Sequence, residues 1–294
     1  MDVTLTALLE QIANGSMMGA IYVLVALGLV LIFGVMEVLN FAHGVILMAG
    51  GYVCDVLLTR LTGSYPLAVI LTMAALALAG VVLERAVFRH LRVNVQMQIV
   101  ASLGLILMAQ NAAVLMFGPN ALQVSVPSVQ SVVRIGELSF TVQHFVVIAA
   151  CIAAITVLQV FLHRTRLGTA LRATSQNADA ARVIGIDADR IYRLSFAVGC
   201  ALAGLGGALL GPLFLVFPQM GDLPLLKGLT AIVLGGMGSI PGAIVGGFAI
   251  GIIEAVSTLF IATDYRDMVV FALLILILLV RPWGLFGVRV RGEA

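Results

Sequence analysis

Residues 12–33 read IANGSMMGAIYVLVALGLVLIF, a run without a charged side chain. A helix needs about 20 consecutive apolar residues to cross the hydrocarbon core of a bilayer, so this run predicts a membrane-spanning helix. Similar runs recur along the 294 residues, of which 62% are hydrophobic and 10% charged. An ordinary soluble domain carries about 25% charged residues. Continuous rather than alternating apolar runs argue against a membrane β-barrel, and the predicted fold class is all-α, a polytopic helical membrane protein.

The apolar runs predict one transmembrane domain over residues 1–294. The candidate spans have approximate bounds of 12–33, 41–59, 66–83, 98–117, 143–162, 194–217, 227–240, 241–262 and 268–282. The element at 227–240 is short and glycine-rich, so about 8–9 membrane elements are expected, this one either crossing fully or forming a broken or re-entrant segment. No basic segment precedes the first run, as a cleavable signal peptide would require, so that run is expected to remain as a span.

The positions of the arginines predict the orientation, because short cytoplasmic loops are enriched in Lys and Arg. Basic residues follow the third, fifth and last spans, at Arg85, Arg89, Arg92, residues 163–193, Arg281, Arg289 and Arg291. These regions are expected to be cytoplasmic, together with the C-terminus. The loops on the extracytoplasmic side would then be 60–65, 118–142, 218–226 and 263–267. If nine elements cross the membrane, the N-terminus would lie on that side as well.

The extracytoplasmic loop 118–142 is rich in Val and Ser, alternates in part, and has a glycine at 136. This pattern predicts a short β-hairpin. The hairpin would be either a docking surface or a structured connector.

The sequence favours a protein that is not an enzyme and carries no metal or cofactor of its own. Its histidines are scattered, at positions 43, 90, 144 and 163, and neither HExxH, GxSxG nor a Walker A phosphate loop occurs. The cysteines, Cys54, Cys151 and Cys200, lie in apolar surroundings without a CxxC pair, which is typical of small side chains packed between helices.

Polar residues within the apolar runs are candidate functional residues, since such groups are costly in hydrocarbon unless they are paired or line a cavity. Asn40 and His43 open the second span, and for them a role in the transport path and a structural role remain open. For Gln110, Asn111 and Glu254, a structural role is the favoured interpretation, either hydrogen bonding between helices or placement at the membrane interface.

The segment Gly228–Gly242, GLTAIVLGGMGSIPG, is too rich in glycine to form a stable straight helix, and Pro241 removes a backbone donor. Unwound backbone in a membrane must be buried in protein or line an aqueous cavity. The segment therefore predicts a position at a translocation path or at a closely packed partner surface.

Two short segments resemble each other. Residues 40–52, NFAHGVILMAGGY, and 239–248, SIPGAIVGGF, each place a polar break before a small-residue helix with a Gly-Gly pair. Both would run from inside to outside, which predicts parallel repeats.

A water-soluble island, HRTRLGTALRATSQNADAARVIGIDADR, occupies residues 163–190. Its good helix formers predict one short Ala-rich helix at the cytoplasmic surface, ended by Gly185 and followed by a cap at Asp187 or Asp189. The helix would either fit into a groove on a partner or act only as a positively charged anchor.

Several segments of the chain resemble permeases of the branched-chain amino-acid ABC importers, most of all the shorter H-type subunit. The resemblance is carried by NGSMMGAIYVLVALGLVLIFGVMEVLNFAHGVILMAGGYV, RLGTALRATSQNADAARVIGID, LGGMGSIPGAIVGGFAIGIIE and LLILILLVRPWGLFG. It extends over nearly the whole chain. The related urea and short-chain amide permeases share much of this pattern, so they remain an alternative.

The resemblance implies that the island couples to a cytoplasmic ATPase. The coupling residues would be Arg172, Ala173, Asp179, Ala181, Gly185 and Ile186. Here Asp179-Ala180-Ala181 takes the place of the Glu-Ala-Ala with which the usual importer loop begins. We place the translocation path or gate at Asn40, Phe41, His43, Gly44, Gly235, Gly236, Gly238, Ser239 and Gly242.

The implied assembly lies in a bacterial inner membrane as a multi-pass complex. It contains a second related permease, two cytoplasmic ATP-binding subunits that hold the ATP, and an extracytoplasmic solute-binding protein. The substrate would be a branched-chain or related amino acid, and membrane lipid but no nucleic acid would be bound. The rival interpretations are a secondary transporter with Glu254 as its proton-coupling group and, without paired catalytic residues to support it, an intramembrane enzyme.

Overall fold

The computed structural model describes residues 5–36, 38, 40–92, 94–135, 138–281 and 283–286. The elements in these ranges are α1 (Leu5–Met36), α2 (His43–Leu57), α3 (Tyr65–Leu83), α4 (Arg89–Leu91), α5 (Val95–Phe117), α6 (Pro127–Gln130), β1 (Val132–Ile135), β2 (Leu138–Thr141), α7 (Val142–Arg164), α8 (Arg166–Gln176), α9 (Ala178–Val183), α10 (Ala188–Leu210), α11 (Asp222–Gly235), α12 (Ile240–Ser257) and α13 (Arg266–Val280). Helices α2 and α3 continue as π-helical turns over Leu58–Thr62 and Glu84–Phe88, and a 3₁₀ turn, Thr263–Tyr265, precedes α13.

The all-α membrane architecture is confirmed, since seven helices are long and apolar enough to cross a membrane by length and composition. Every predicted apolar run becomes a helix within the described ranges, but α11 and α13 are short, with 14 and 15 residues. The span predicted at 194–217 is displaced toward the N-terminus. It begins at Ala188 because the Asp187 side chain accepts a hydrogen bond from the Arg190 amide at 3.1 Å and caps the helix.

Contacts between helix ends distinguish the two ends of the bundle. At one end, the last turns of α1 and α7 meet α8 and the start of α12 around a common cleft. At the opposite end, His144 bonds Asn14 at 2.8 Å, and Gln143 donates to the Leu209 carbonyl at 2.8 Å. Helices α1 and α7 therefore run in one direction, and α10 and α12 in the other. We call the first end the basic end, because the island at 163–190 lies there. Arg289 and Arg291 lie outside the described residues.

Helix α1 is the centre of the bundle and packs on α7, α10, α11 and α12. Its glycines bring backbones into contact. A Cβ at Gly15 would lie 2.7 Å from the Gly251 carbonyl oxygen, and one at Gly19 would lie 2.9 Å from the Cα of Phe248. Lipid gives apolar helices no hydrophobic reason to associate, so close packing of small residues has to hold α1 against α12.

Helices α1, α2 and α3 form one group and α10, α11 and α12 a second group, and corresponding helices of the two groups run in opposite directions. Helix α1 packs on α10, α11 and α12, while α10 packs on α1, α2 and α3. The groups meet where Gly28 contacts Gly199 and where Gly44 contacts Gly221, and in each pair a Cβ on either glycine would come within 3 Å of the partner's carbonyl oxygen. From the second contact α2 runs toward the opposite end and α11 toward the basic end. This arrangement is that of inverted repeats.

The predicted parallel repeat of 40–52 and 239–248 is therefore wrong. Helices α2 and α12 do run in the same direction, but α2 corresponds to α11 and α12 to α3 by their positions in the two groups. The shared Gly-Gly pairs have a simpler cause, because both helices need close approach. A Cβ at Gly50 would lie 2.6 Å from the Gly204 carbonyl oxygen, and one at Gly247 would lie 2.6 Å from the Val23 side chain.

Loop 118–142 contains the predicted hairpin. Strands β1 and β2 pair antiparallel, with Val132 opposite Thr141; their turn at 136–137 lies outside the described residues. Leu122 and Val216 exchange backbone hydrogen bonds of 2.8 Å, which tie the loop to the segment that follows α10.

A buried cluster of charges joins α1, α11, α12 and α13. The Lys227 ammonium lies 2.7 Å from Glu254 and 2.7 Å from Asp267, and the Tyr22 hydroxyl donates to Glu254 at 2.8 Å. Lys227 is 2% exposed and Glu254 5%. Charges this deep are tolerated because each has an opposite partner, so Glu254 does bond to other helices as expected.

Two polar residues of α5, Gln110 and Asn111, make different kinds of hydrogen bond. Gln110 donates to Asp222 of α11 at 3.2 Å, which is the expected bond between helices. Asn111 instead donates to the Leu107 carbonyl of its own helix at 2.7 Å.

We expect Gly28→Ala to destabilise the chain by about 1–3 kcal/mol, because the new methyl overpacks the crossing of α1 and α10. The Cβ would lie 2.6 Å from His43 Nε2 and 2.8 Å from the Gly199 carbonyl oxygen. Gly34→Ala is the matched control, because nothing lies within 4 Å of its Cβ position. The melting temperature of each purified variant in detergent measures the effect, and equal melting temperatures for the two would contradict the close contact.

Candidate functional site

The island at the basic end forms two short helices rather than the single helix predicted. Asn177 separates α8 from α9, with extended backbone angles of φ −160° and ψ 105°. Its side chain accepts a hydrogen bond from the Ala180 amide at 2.9 Å. The reason for the break is that asparagine competes for backbone donors and is strongly favoured as a helix cap.

Gly185 ends the second helix of the island, α9, at the position predicted for the end of a single helix. Its φ of +88° is a left-handed conformation that glycine adopts without strain. The Gly185 amide donates to the Arg182 carbonyl and the Ile186 amide to the Ala181 carbonyl, both at 3.0 Å. This pair of bonds is a Schellman motif, which satisfies the last carbonyls of α9.

The surface of the island is both apolar and charged. Val183 is 88% exposed and Ile184 74%, at the tip of α9. Asp179 and Arg182 form an exposed ion pair of 2.8 Å. Ala181 is buried. The exposed tip is therefore available to a partner, whereas Ala181 packs inside this chain.

The other predicted coupling residues differ in exposure. Arg172 is exposed and makes no ion pair within the described ranges, while Ala173 and Ile186 are half-buried. Gly185 is exposed, with nothing within 4 Å of the position of a Cβ.

An ion-pair network fastens the start of α10 to the end of α3. Asp189 lies 3.1 Å from Arg89 and 2.5 Å from Arg92, and Arg92 also pairs with the buried Glu84. The Arg92 guanidinium lies 4.4 Å from the centre of the Tyr192 ring. Burial lowers the pKa of Arg92, but its hydrogen bonds to Asp189 and Glu84 outweigh burial and raise the pKa overall.

A cleft of about 400 Å³ separates the island from the membrane helices. Arg172 and Ser175 of α8 line one wall, and Gly238 and Ser239 of the glycine-rich loop line another, with the last turns of α1 and α7 between them. The cleft therefore brings predicted coupling residues and predicted gate residues to one place.

The glycine-rich loop connects α11 to α12 through a tight turn. Gly236 and Gly238 have φ values of 104° and 85°. Ser239 caps α12 by accepting a hydrogen bond from the Gly242 amide at 3.1 Å. A Cβ at Gly235 would lie 2.1 Å from the Gly242 backbone. The glycines thus permit the turn and the contact between the two helices.

The open carbonyls at the end of α11 are satisfied by the C-terminal segment. Leu285 donates to Leu234 at 2.8 Å and Phe286 to Gly235 at 2.9 Å. Unwound backbone is tolerated here because it is bonded to protein.

The remaining predicted path residues lie deeper. His43 is fully buried at the crossing of α1 and α10. Neither ring nitrogen has a hydrogen bond of good geometry in the described part of the chain. The backbone of Val25 nevertheless lies close enough to the ring to interact with it. The Asn40 amide is also buried without a partner among the described residues. Gly44 packs against Gly221.

A small cavity of about 40 Å³ links the deep residues to the glycine-rich loop. Asn40 and Phe41 line it on one side and Met237 on the other. The predicted path residues therefore form two groups, one at the helix crossing and one at the basic end, with this cavity between them.

Sequence reasoning did not identify the partners of Lys227, nor the link from Asp189 to Arg92. These bonds join residues that are far apart in the chain, so no local spacing could reveal them. Asn177 carried a local signal, since an asparagine followed by helix formers is a recognisable cap. Within the described ranges, no group of three His, Cys, Asp or Glu side chains could hold a metal ion.

Comparison with known proteins identifies the family. The family described as "Branched-chain amino acid transport system / permease component" matches residues 11–278. The "High-affinity branched-chain amino acid transport system permease protein LivH" of Escherichia coli K12 is 36% identical, with 95% of each chain covered. The corresponding protein BraD of Pseudomonas aeruginosa is 33% identical over 95% of each chain.

A more distant relative is the "Probable branched-chain amino acid transport permease protein LivH" of Methanocaldococcus jannaschii, which is 31% identical, with 90% of this chain and 88% of that protein covered. No solved structure matches. The chain belongs to the family of branched-chain amino-acid transport permeases, and it is a multi-pass membrane protein.

We expect His43→Leu to leave the melting temperature equal or higher, because a buried polar group without good partners costs about 1–3 kcal/mol. We also expect uptake by cells carrying the whole transport system to fall, because the ring occupies the point where both helix groups cross. His90→Leu is the control, since His90 is exposed at the basic end. A lower melting temperature together with a smaller amount of assembled protein would show that the His43 ring has only a packing role.

Proposed function

We propose that this chain is the membrane-spanning subunit of an ATP-driven importer that moves branched-chain or related amino acids into a bacterial cell. Family membership over residues 11–278 is the observation that carries the proposal. The relatives whose whole length it matches are named as high-affinity branched-chain amino-acid permeases. A Walker A motif is absent from the sequence, so the energy would come from partner subunits.

The island would be the surface that two cytoplasmic ATP-binding subunits act on, one for this chain and one for a second, related permease. The exposed Val183 and Ile184 offer an apolar tip. Arginines around it have no ion pair among the described residues, namely Arg164, Arg166, Arg172, Arg190 and Arg193. An exposed apolar patch with a charged rim is typical of a protein interface.

Movement of the island would reach the membrane helices through two contacts. Gly168 packs α8 on the end of α7, because a Cβ there would lie 2.2 Å from the Phe161 carbonyl oxygen. The pair of Asp189 with Arg92 fastens α10 to the end of α3. Helices α7, α10 and α3 would therefore tilt with the island, and the cleft beside Ser239 would change width.

Loop 118–142 would receive an extracytoplasmic solute-binding protein. The loop, which contains the β-hairpin, is tied to the segment after α10 through Leu122 and Val216, so it presents a fixed surface at the end away from the island. Loaded binding protein would release the amino acid there.

Affinity purification from native membranes in mild detergent tests this proposal. We expect an ATP-binding subunit and a second permease of similar size to co-purify, and the associated solute-binding protein to retain leucine, isoleucine or valine. Retention of urea or a short-chain amide would instead identify the related branch. A chain that purifies alone and transports in liposomes without ATP would establish a secondary transporter.

We expect Gly185→Val to uncouple ATP hydrolysis from uptake, because a β-branched residue at φ +88° is strained by about 1–3 kcal/mol and would open the end of α9. Gly185→Asn is the matched control, since asparagine tolerates the left-handed conformation. The ratio of amino acid taken up to ATP hydrolysed in proteoliposomes measures coupling. An unchanged ratio for the valine variant would rule out a coupling role for this turn.

A further inference from the structure

A second cavity, of about 340 Å³, lies at the end of the bundle away from the island. It is enclosed by α1, the start of α7, the segment after α10, α12 and the start of α13. Its volume is at the lower end of the range of small-molecule sites, roughly 300–1,000 Å³. We call it the outer pocket.

One wall of the outer pocket carries opposite charges. Arg266 and Glu254 both line it. Arg266 Nε approaches Glu254 only to 3.6 Å, which is too far for a hydrogen bond, and its side chain is 42% exposed. Arg266 Nε lies 3.8 Å from Asp267, and the guanidinium makes no hydrogen bond to a side chain within the described residues, so its donors are available to another acceptor. A guanidinium binds a carboxylate through two parallel hydrogen bonds.

The charge behind that wall is balanced. Lys227 and Arg266 are the cations, and Glu254 and Asp267 the anions, so the formal charge of the cluster is zero. A ligand with a single charge would leave this cluster, of which Lys227 and Glu254 are buried, unbalanced. A zwitterion adds one charge of each sign and preserves the balance, provided that its carboxylate faces Arg266 and its ammonium faces Glu254.

The facing wall carries uncharged donors. His144 Nδ1 lies 2.6 Å from the Thr141 hydroxyl, and His144 Nε2 lies 2.8 Å from Asn14 Oδ1. The Asn14 oxygen accepts from the ring, and the Asn14 amide nitrogen has no hydrogen-bond acceptor among the described residues, so this lining residue can still donate.

Most of the remaining lining is apolar and suits an aliphatic side chain. It consists of Met17, Met18, Leu213, Phe214, Gly251 and Ala255, with Gln11 and Thr258 as further polar residues. Methionine side chains are flexible and adapt to branched groups of different shape.

We propose that the outer pocket is a subsite for a free α-amino acid with an aliphatic side chain, held by Arg266 at its carboxylate and Glu254 at its ammonium group. The proposal rests on the proposed importer function. It adds that this chain holds the amino acid itself after release from the binding protein.

Binding of radiolabelled L-leucine to the purified importer complex, without solute-binding protein, tests the subsite. We expect saturable binding that Arg266→Gln weakens at least tenfold. Arg60→Gln is the matched control, an exposed arginine near the same end that does not line the pocket. Leu213→Trp should also weaken binding, by filling the pocket while leaving its charges in place; this variant covers the case that Arg266→Gln fails to fold.

Competition experiments test separately whether the carboxylate and the ammonium group of the amino acid are recognised. We expect 4-methylpentanoate, which lacks the ammonium group, and isoamylamine, which lacks the carboxylate, each to compete at least tenfold less well than L-leucine. Equal competition by either compound, unaltered binding in both pocket variants, or no binding to the wild-type complex would overturn the subsite.

Uptake into proteoliposomes with ATP and binding protein separates this result from the importer proposal. Leucine uptake without leucine binding by the complex would leave the importer function intact and remove the subsite. Absence of amino-acid uptake by the wild-type complex would remove the importer function.

Discussion

Backbone contact at glycines is the constraint on which the rest of this structure depends. Helix α1 packs on α7, α10, α11 and α12, and at Gly15, Gly19 and Gly28 the contacts are with neighbouring backbone or with the His43 ring. In lipid, where apolar surface gains little by association, such contacts supply the dispersion energy that holds helices together. Any side chain at these points would separate α1 from α10 or α12.

The same close packing creates the positions where polar groups survive. Because α11 and α12 touch along Gly235 and Gly242, Lys227 comes within 2.7 Å of Glu254, and α13 adds Asp267. Each charge is tolerated because its opposite is fixed beside it. His43 is held in a different way, since the absence of a side chain at Gly28 leaves room for the ring at the crossing of the two helix groups. Close contact between backbones and burial of polar groups are thus two aspects of one packing arrangement.

The molecule has a different chemistry at each end. The basic end exposes arginines and an apolar tip around Val183, and a cleft joins that surface to the glycine-rich loop. The other end carries a pair of opposite charges, Arg266 and Glu254, on the wall of a pocket whose lining is partly apolar. An importer that is driven from one side and loaded from the other requires such a division. The inverted relation of the helix groups, which meet at Gly44 and Gly221, places a helix crossing between the two ends.

The sequence by itself determined the features that depend on local chemistry. The length of the apolar runs fixed the helices, and the turn at Gly185 follows from a single residue type. For the cap of α10 the sequence left Asp187 and Asp189 open, and the structure uses Asp187. Hydropathy also placed the hairpin of loop 118–142, through its alternation. The prediction of a single helix in the island was wrong, because Asn177 divides it into two helices.

Only the tertiary structure decided which distant residues meet. Glycines and polar residues at membrane depth can be recognised in a sequence, but their partners depend on how whole helices cross. Tyr22 and Glu254, or Gly44 and Gly221, share no spacing that links them. For the same reason the inverted relation of the helix groups could not be seen in the short matching segments, since similar glycine pairs arise wherever two helices approach closely. The physical reason is that helix formation is local, whereas the contacts that choose among packings are made between segments that the sequence keeps far apart.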